Sequence, residues 1–257
     1  MKKILITGGG GFIGFHLAKS LSKNYKILIV DDFSRGKIDN DFKKLMKIKN
    51  IKLQKINFEE SLLIKKNDFD YIFHLAAVVG VQNVIKKPSN VLEKNFKLLL
   101  SVINFAKKQK KLQRIFFLST SEIYAGSLKN KLLKFPTTEN SILSLDNLNN
   151  KRSTYMLSKI YCESLIHFSG LPFTILRPHN IYGPRMGMSH VIPEITLKCL
   201  KRDKIINIAN PNHTRTFCYI DDAVDMIIKI MKSKKTLGKT YNLGDSRKEI
   251  KIKYLVM

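Results

Sequence analysis

The sequence has 257 residues, 44% hydrophobic and 26% charged, which are ordinary values for a globular chain long enough to bury a full core. Its 46 Lys and Arg against 20 Asp and Glu give a formal charge of +26. The lysines are scattered along the whole chain and no aromatic-interleaved basic motif occurs, so the composition does not point to a dedicated nucleic-acid surface.

Short β-branched apolar runs alternate with longer amphipathic stretches in the first third of the chain. This alternation predicts β-α-β units and a parallel sheet. The first run, Ile4 to Ile6, is far too short for a signal sequence or a membrane span, so we expect a cytoplasmic protein. The predicted strands are Ile4–Thr7, Ile27–Asp31, Ile51–Ile56 and Tyr71–Leu75, and the predicted helices are Phe12–Ser22 and Pro88–Lys108.

The second half continues with a strand at Arg114–Ser119, a surface loop over 126–150, a helix at Ser153–Phe168 and a strand at Pro172–Arg177. Prolines and glycines between residues 178 and 187 then interrupt the regular pattern. We therefore predict two domains, 1–177 and 178–257. The three cysteines lie far apart without ligand spacing, so neither a disulfide framework nor a metal site is expected.

A glycine-rich segment, Thr7 to Gly14, follows the first strand and opens the first helix. Glycines in this context permit a tight turn and let backbone N–H groups approach a pyrophosphate at the helix N-terminus. Asp31 ends the second strand, where an acidic side chain accepts hydrogen bonds from the ribose hydroxyls of NAD. This favours NAD over NADP, although Arg35 nearby weakens the preference.

Tyr155 and Lys159 lie one helical turn apart on the same face of a predicted helix. The pKa of a free tyrosine is about 10, and an adjacent ammonium together with an oxidised nicotinamide would lower it, making the phenol a usable base. Hydroxyl groups follow the preceding strand at Ser119, Thr120 and Ser121, and one of them could orient a reacting alcohol.

Together these motifs resemble the extended short-chain dehydrogenase/reductase family of sugar-nucleotide epimerases, dehydratases and decarboxylases. The resemblance also includes His74–Ala77 and the run from Arg177 to Arg185, and it covers nearly the whole chain. It implies a doubly wound, Rossmann-type α/β sheet with a smaller substrate lobe, a homodimer, a catalytic set of Thr120, Tyr155 and Lys159, and a structural role for Asn95. The implied NAD contacts are Gly8, Gly11, Phe12, Ile13, Gly14, Asp31, Leu75, Ala76 and Ala77, besides Tyr155 and Lys159.

Within that family, the run Thr120–Tyr124 is similar to that of UDP-glucuronate decarboxylases, whereas dehydratases typically carry Asp in place of Ser121. The resemblance adds Glu122 to the catalytic residues. Thr214–Phe217 likewise resembles a decarboxylase segment, which makes Arg185 and Arg215 candidate contacts for substrate anions. Ser121 and Asn180 complete the expected substrate contacts, and a UDP-sugar is the expected ligand.

Two features depart from the family pattern. Asn57 and Phe58 stand where the family generally has Asp and an aliphatic residue near the adenine. The family strand resembled by Tyr241–Gly244 is normally followed by further lobe segments, so we expect an incomplete, C-terminally truncated substrate lobe.

The resulting hypothesis is oxidation at the sugar's 4-hydroxyl to a 4-keto intermediate, followed by decarboxylation and reduction by the same cofactor. UDP-sugar 4-epimerisation and 4,6-dehydration remain alternatives. So do a simple alcohol dehydrogenase and a non-catalytic NAD- or RNA-binding protein that retains the fold.

Overall fold

The computed structural model describes residues 1–56, 68–145, 147–202, 205–208, 210–247 and 249–256. Its strands are β1 (Lys3–Thr7), β2 (Lys26–Asp31), β3 (Ile51–Lys55), β4 (Tyr71–His74), β5 (Arg114–Leu118), β6 (Phe173–Pro178), β7 (Ile181–Tyr182), β8 (Thr214–Arg215), β9 (Cys218–Tyr219), β10 (Lys239–Leu243) and β11 (Ile250–Lys251). Its helices are α1 (Phe12–Leu21), α2 (Asn40–Met46), α3 (Val81–Lys86), α4 (Pro88–Lys107), α5 (Ala125–Lys129), α6 (Ser153–His167), α7 (Val191–Leu200) and α8 (Ile220–Lys232).

Seven of these strands form one parallel sheet in the order β10-β6-β5-β4-β1-β2-β3. The predicted doubly wound α/β fold is therefore confirmed. Thr7 pairs with Val30 on one side and with His74 on the other, so the carboxyl ends of β1, β2 and β4 meet at one edge. The strand order reverses beside β1, which is the place where open α/β sheets bind their ligands.

Each face of the sheet is covered by its own apolar core because successive side chains of a strand point to opposite faces. Ile4 and Ile6 pack in a cluster that includes the buried side chains of α1 and α8. Leu5 belongs to a second cluster, built with α4 and α6. Among the described helices, none has the length and apolar composition needed to span a membrane.

The six strands and three helices predicted from the sequence are all present, with ends that differ by at most one residue. The segment 126–150, predicted as a surface loop, begins inside the short helix α5. Its described part is held down by Ser127, whose hydroxyl donates to Ile142 O (2.6 Å) and accepts from Ser144 N (2.8 Å). A Cβ added at Gly126 would lie 1.9 Å from Ser144 O, so the backbones approach too closely for any other residue.

Residues 178–257, expected to form a substrate lobe, also contribute to the sheet domain. β10 pairs with β6, and α8 packs against α1. Arg114 at the start of β5 fastens the end of α8 by donating to Ile230 O (3.2 Å), Ser233 O (3.0 Å) and Thr236 Oγ1 (2.7 Å). A division at residue 177 would therefore separate β10 and α8 from the sheet that they complete.

A buried ion pair fixes the carboxyl end of β6. Arg177 donates from Nε and Nη2 to the two carboxylate oxygens of Glu163 on α6, at 3.0 and 2.6 Å. Its Nη1 donates to Tyr124 Oη (2.6 Å) and to Glu139 O (2.9 Å). This guanidinium thus joins α6 and the segment after β5 to the edge of the sheet.

Replacing Glu163 with Gln should destabilise the fold by about 3 kcal/mol because it leaves the buried charge of Arg177 without its counter-charge. Urea unfolding measures this as a lower midpoint at an unchanged slope. The matched control is Glu93→Gln, which removes an exposed ion pair with Lys97 on α4 and should leave the midpoint nearly unchanged. Equal midpoints for both variants would contradict the structural role of the buried pair.

Candidate active site

The glycine-rich turn after β1 is built as the sequence predicts. Gly8 has a φ of +73°, and its N–H donates to Val30 O (2.8 Å). A Cβ at Gly14 would lie 2.4 Å from Gly8 O, and one at Gly8 would lie 2.6 Å from Ala76 N. Side chains at these positions would therefore collide with the backbone of the turn or of the segment after β4.

This turn fits the diphosphate of a dinucleotide. Within the described residues, no side chain caps Gly11 at the start of α1, so the first N–H groups of the helix, including those of Phe12 and Ile13, remain available to an anion. The close approach of Gly8 to Ala76 brings the Leu75–Ala77 segment beside the turn. These predicted NAD-contacting residues are thus gathered at one edge of the sheet.

Asp31 ends β2 beside the glycine turn and is buried. Its Oδ2 accepts from Gly10 N and its Oδ1 accepts from Phe33 N, both at 2.8 Å. Burial raises the pKa of this carboxyl group, and the two backbone hydrogen bonds oppose that shift. The structure thus holds the carboxylate at the position where the sequence predicts a ribose contact. That contact remains a prediction.

Asn95 on α4 joins the segment after β4 to α6. Its side chain accepts from Val78 N (2.7 Å) and donates to Val78 O (3.2 Å) and to Ser158 Oγ (3.1 Å). Ser158 in turn donates to Tyr155 O (2.7 Å). The buried amide therefore fixes the loop that follows Leu75–Ala77 relative to the helix that carries Tyr155.

Lys159 is buried on α6 at the end of β5. Its Nζ donates to Leu118 O (2.8 Å) and lies 4.9 Å from the centroid of the Phe117 ring and 6.0 Å from that of Tyr155. Burial lowers the pKa of its ammonium to about 8. The lysine is therefore held in one position by a single carbonyl and an aromatic ring.

The side chain of Thr120 is close enough to the phenol of Tyr155 to act on its pKa, and Lys159 Nζ lies 6.0 Å from the centroid of the same ring, so the predicted catalytic set lies in one region. The pKa of this phenol is raised, first by burial and then by the charge of Glu122, whereas the sequence led us to expect a lower value. In the protein alone, burial outweighs the opposing effects of Thr120 and Arg35 on this pKa. The expected lower value included an oxidised nicotinamide and remains a prediction. An oxidised nicotinamide, the second part of that expectation, would add a positive charge to this site.

Glu122 belongs to a short 3-10 turn, Ser121–Tyr124, that follows β5. Thr120 Oγ1 caps this turn by accepting from Glu122 N (3.2 Å). Glu122 is exposed, yet the protein around its carboxyl group removes enough hydration to raise its pKa. Ser121 is half-buried beside it. The carboxyl group of Glu122 and the phenol of Tyr155 are thus close enough to influence each other electrostatically.

His74 was not singled out from the sequence, although it opens the run His74–Ala77. Its Nδ1 lies 2.7 Å from Thr7 Oγ1, and its ring stacks on Phe117 at 5.9 Å. Burial, aided by the charge of Lys159, lowers the pKa of this imidazole to about 3. The neutral ring therefore joins the glycine turn to the aromatic ring beside Lys159.

The residues predicted to contact the substrate lie further apart in the structure than those predicted to contact NAD. Arg185 forms a bidentate pair with the carboxylate of Asp39 and lies over the Phe15 ring at 4.2 Å, so its guanidinium already has an anionic partner. Arg215 on β8 is exposed and donates to Thr214 O (2.7 Å). The structure thus does not bring these arginines to Tyr155, and their binding of a substrate remains a prediction.

Asn180 lies between β6 and β7 with a φ of +41°, and its carbonyl accepts from Cys218 N (3.2 Å). The predicted contact between its side chain and a substrate also remains a prediction. Asn57 and Phe58, where the sequence departs from the family near the adenine, lie outside the described residues.

The substrate-lobe segment contains two apolar cavities of about 250 and 320 Å³. Both are lined by Tyr182, Ile192 and Thr196, and the larger is also lined by Arg185. Among the described residues, no group of His, Cys, Asp or Glu side chains could hold a metal ion.

Comparison with known proteins matches residues 4–244 to the model of the NAD dependent epimerase/dehydratase family. A UDP-N-acetyl-alpha-D-glucosaminuronate decarboxylase from Bacillus cytotoxicus is 34% identical over 95% of this chain and 75% of the relative. A dTDP-D-glucose 4,6-dehydratase from Dictyostelium discoideum is 32% identical over 95% of this chain, which spans 58% of that protein.

Among solved structures, a UDP-glucuronic acid 4-epimerase from Bacillus cereus, in complex with a UDP-sugar and NAD, has a TM-score of 0.78 at 26% identity. The alignment covers 97% of this chain and 79% of the epimerase.

Replacing Lys159 with Met should stabilise the protein by about 3 kcal/mol near pH 7 because the pKa falls from 10.5 when unfolded to about 8 when folded. The unfolded chain binds more protons between these values, so the stability of the wild type should rise from about pH 8 and the advantage of the variant should shrink. Chemical unfolding across this pH range measures the difference.

Lys107→Met is the control because Lys107 is exposed on α4, and it should show no difference of this size. A Lys159→Met protein less stable than the wild type at pH 7 would mean that the ammonium stabilises the fold instead.

Proposed function

The chain belongs to the NAD-dependent epimerase/dehydratase family, and on that premise we propose that it decarboxylates a UDP-hexuronic acid, with UDP-glucuronate as the leading substrate. The observation that carries the proposal is the turn at Thr120–Glu122, which holds the carboxyl group of Glu122 near enough to Tyr155 for its charge to act on the phenol. The sugar's 4-hydroxyl and 5-carboxylate lie on adjacent carbons, so a site for this reaction must act on neighbouring positions of one ring.

NAD supplies the acceptor and later the donor of a hydride. The residues that would hold it are the glycine turn, Asp31 and the Leu75–Ala77 segment, which the fold gathers at the edge of the sheet. Backbone N–H groups at the start of α1 would bind the diphosphate.

Tyr155 takes the proton from the 4-hydroxyl of the sugar as hydride leaves C4. Thr120, whose side chain acts on the pKa of the phenol, orients the alcohol. Lys159 stabilises the phenolate through its charge, and its hydrogen bond to Leu118 O keeps the ammonium in place. Burial alone would raise the pKa of the phenol. Together these side chains oppose that shift, so Tyr155 can act as a base.

The 4-ketone makes the 5-carboxylate a β-keto acid. The bond between C5 and the carboxyl carbon then breaks, carbon dioxide leaves, and the electron pair passes into an enolate. A proton returns to C5, and Glu122 is the proposed carrier of that proton, in keeping with the raised pKa of its carboxyl group. Reduction of the 4-ketone at C4, for which the reduced cofactor would supply the hydride, would then give a UDP-pentose.

The named relatives support this reading. The Bacillus cytotoxicus relative is a decarboxylase of an N-acetylated UDP-hexuronate, and a UDP-glucuronic acid decarboxylase from Arabidopsis thaliana is 30% identical over 91% of this chain. A 4-epimerase is the second candidate, favoured by the Bacillus cereus structure. It would use the same 4-ketone but return the hydride to the other face of the sugar.

We further propose a homodimer that buries the outer face of α4 and α6. Phe96 and Tyr161 contact each other across these helices at 5.3 Å, and Tyr161 and Leu100 keep 53% and 36% of their surface exposed. Apolar rings on an otherwise charged surface are typical of a contact between protein copies.

The test is to incubate the purified enzyme with UDP-glucuronate, its 2-N-acetylated counterpart and UDP-glucose, and to follow products by mass spectrometry and NMR. We expect loss of carbon dioxide from a UDP-hexuronate, slowed roughly 10²- to 10⁴-fold in Tyr155→Phe. Tyr161→Phe is the matched control because it removes a phenol from the same helix while keeping the ring that we propose at the dimer contact, and it should retain activity.

Other products would refute decarboxylation. Inversion without a change of mass would mean an epimerase, and loss of water would mean a dehydratase. Net reduction of added NAD would mean a simple dehydrogenase. Bound NAD, read by absorbance after denaturation, with every sugar nucleotide unchanged would favour a protein that keeps the fold without turnover.

A further inference from the structure

The segment 33–39, between β2 and α2, lies directly over the glycine turn, and we call it the cover loop. A Cβ added at Gly36 would lie 2.8 Å from Gly10 O, so the two backbones touch at a glycine. Phe33 begins the loop with a φ of +59° and donates its N–H to Asp31 Oδ1. The start of the cover loop is thus fastened to the carboxylate that ends β2.

The other end of the cover loop is fastened to the substrate lobe. Asp39 caps α2 by accepting from Phe42 N (2.9 Å), and its carboxylate pairs with Arg185. Arg185 also donates to Lys37 O (3.1 Å). The loop therefore bridges the glycine turn and the substrate-lobe segment, with contacts at Phe33, Gly36, Lys37 and Asp39.

Arg35, in the middle of the cover loop, extends across the cleft. A Cβ added at Gly187 would lie 3.8 Å from Arg35 Nη2 and 3.7 Å from His190 Cδ2, so the guanidinium reaches the lobe. The cleft walls lower the pKa of Arg35 by reducing its hydration, and its charge acts on both Tyr155 and His190. One cation thus faces the catalytic phenol from the cofactor loop.

Arg35 makes no hydrogen bond or ion pair with any residue that the structure describes. The neighbouring carboxylates are already engaged: Asp31 with Gly10 N, Asp32 with the backbone and hydroxyl of Ser34, and Asp39 with Arg185. Arg35 is exposed, and a guanidinium that is open to solvent and left unpaired by the described protein is well suited to an anionic ligand.

We propose that Arg35 binds a diphosphate oxyanion within the cleft and so helps to select its ligands. The guanidinium can grip two phosphate oxygens at once, and its loop already touches the glycine turn at Gly10. Both NAD and a UDP-sugar carry a diphosphate, and Arg35 lies between the regions assigned to them. The inference rests on the proposed function for the identity of these ligands, but its test needs binding alone.

The experiment measures binding by isothermal titration calorimetry, with NAD on cofactor-stripped protein and UDP on the NAD-loaded protein. Arg35→Gln is compared with Lys37→Gln, which removes the same charge from the same loop. The Lys37 side chain is exposed, and only its backbone carbonyl contacts Arg185. Thermal unfolding of both variants checks that the fold is retained.

We expect Arg35→Gln to lower the binding affinity for at least one ligand tenfold or more. The affinities of Lys37→Gln should stay within twofold of the wild type. Loss for NAD alone assigns Arg35 to the cofactor, and loss for UDP alone assigns it to the substrate. The wild-type affinity for that ligand should also fall more steeply with salt than the affinity of Arg35→Gln.

The inference is wrong if both variants bind both ligands within twofold of the wild type. It is also wrong if the folded wild type binds neither diphosphate, and then the proposed function is wrong as well. Diphosphate binding that depends on Arg35, in a protein that transforms no UDP-sugar, would leave the inference standing and refute the proposed function.

Discussion

A single ammonium group, that of Lys159, is buried at the carboxyl end of β5, and the geometry of the site depends on how it is held. Its hydrogen bond to Leu118 O places it against the central strands, and the Phe117 ring lies beneath it. Burying this charge is unfavourable to the fold, as its lowered pKa indicates. In the proposed mechanism this unfavourable group stabilises a phenolate, and perturbed groups of this kind are typical of catalytic sites.

The surrounding structure keeps that ammonium next to Tyr155 and the glycine turn. Asn95 fixes α6 to the loop after β4, and neutral His74 spans from Thr7 to the ring beside Lys159. Arg177 and Glu163 secure the same helix from the substrate side. Side chains on separate elements, which we propose act together in catalysis, are thereby held in fixed positions relative to one another.

Much of this could be predicted because the signals are local. The alternation of apolar runs gives the strands, and the glycines of the turn and the Tyr155–Lys159 spacing each lie within eight residues. The pairing of Arg185 with Asp39 joins residues 146 positions apart, and sequence alone favoured an anionic ligand for that arginine. The return of β10 to the sheet and the pKa of Tyr155 likewise depend on tertiary burial, which no local pattern reports.

The central claim is that Tyr155 and Lys159 support a hydride transfer that goes out to the cofactor and back within one turnover. Rapid mixing of the NAD-loaded enzyme with UDP-glucuronate, followed through the absorbance of reduced nicotinamide, tests it most directly. The account predicts a band that rises and then decays as the UDP-pentose forms. Product formation without any such band, or a band that grows in step with product and does not decay, would contradict it.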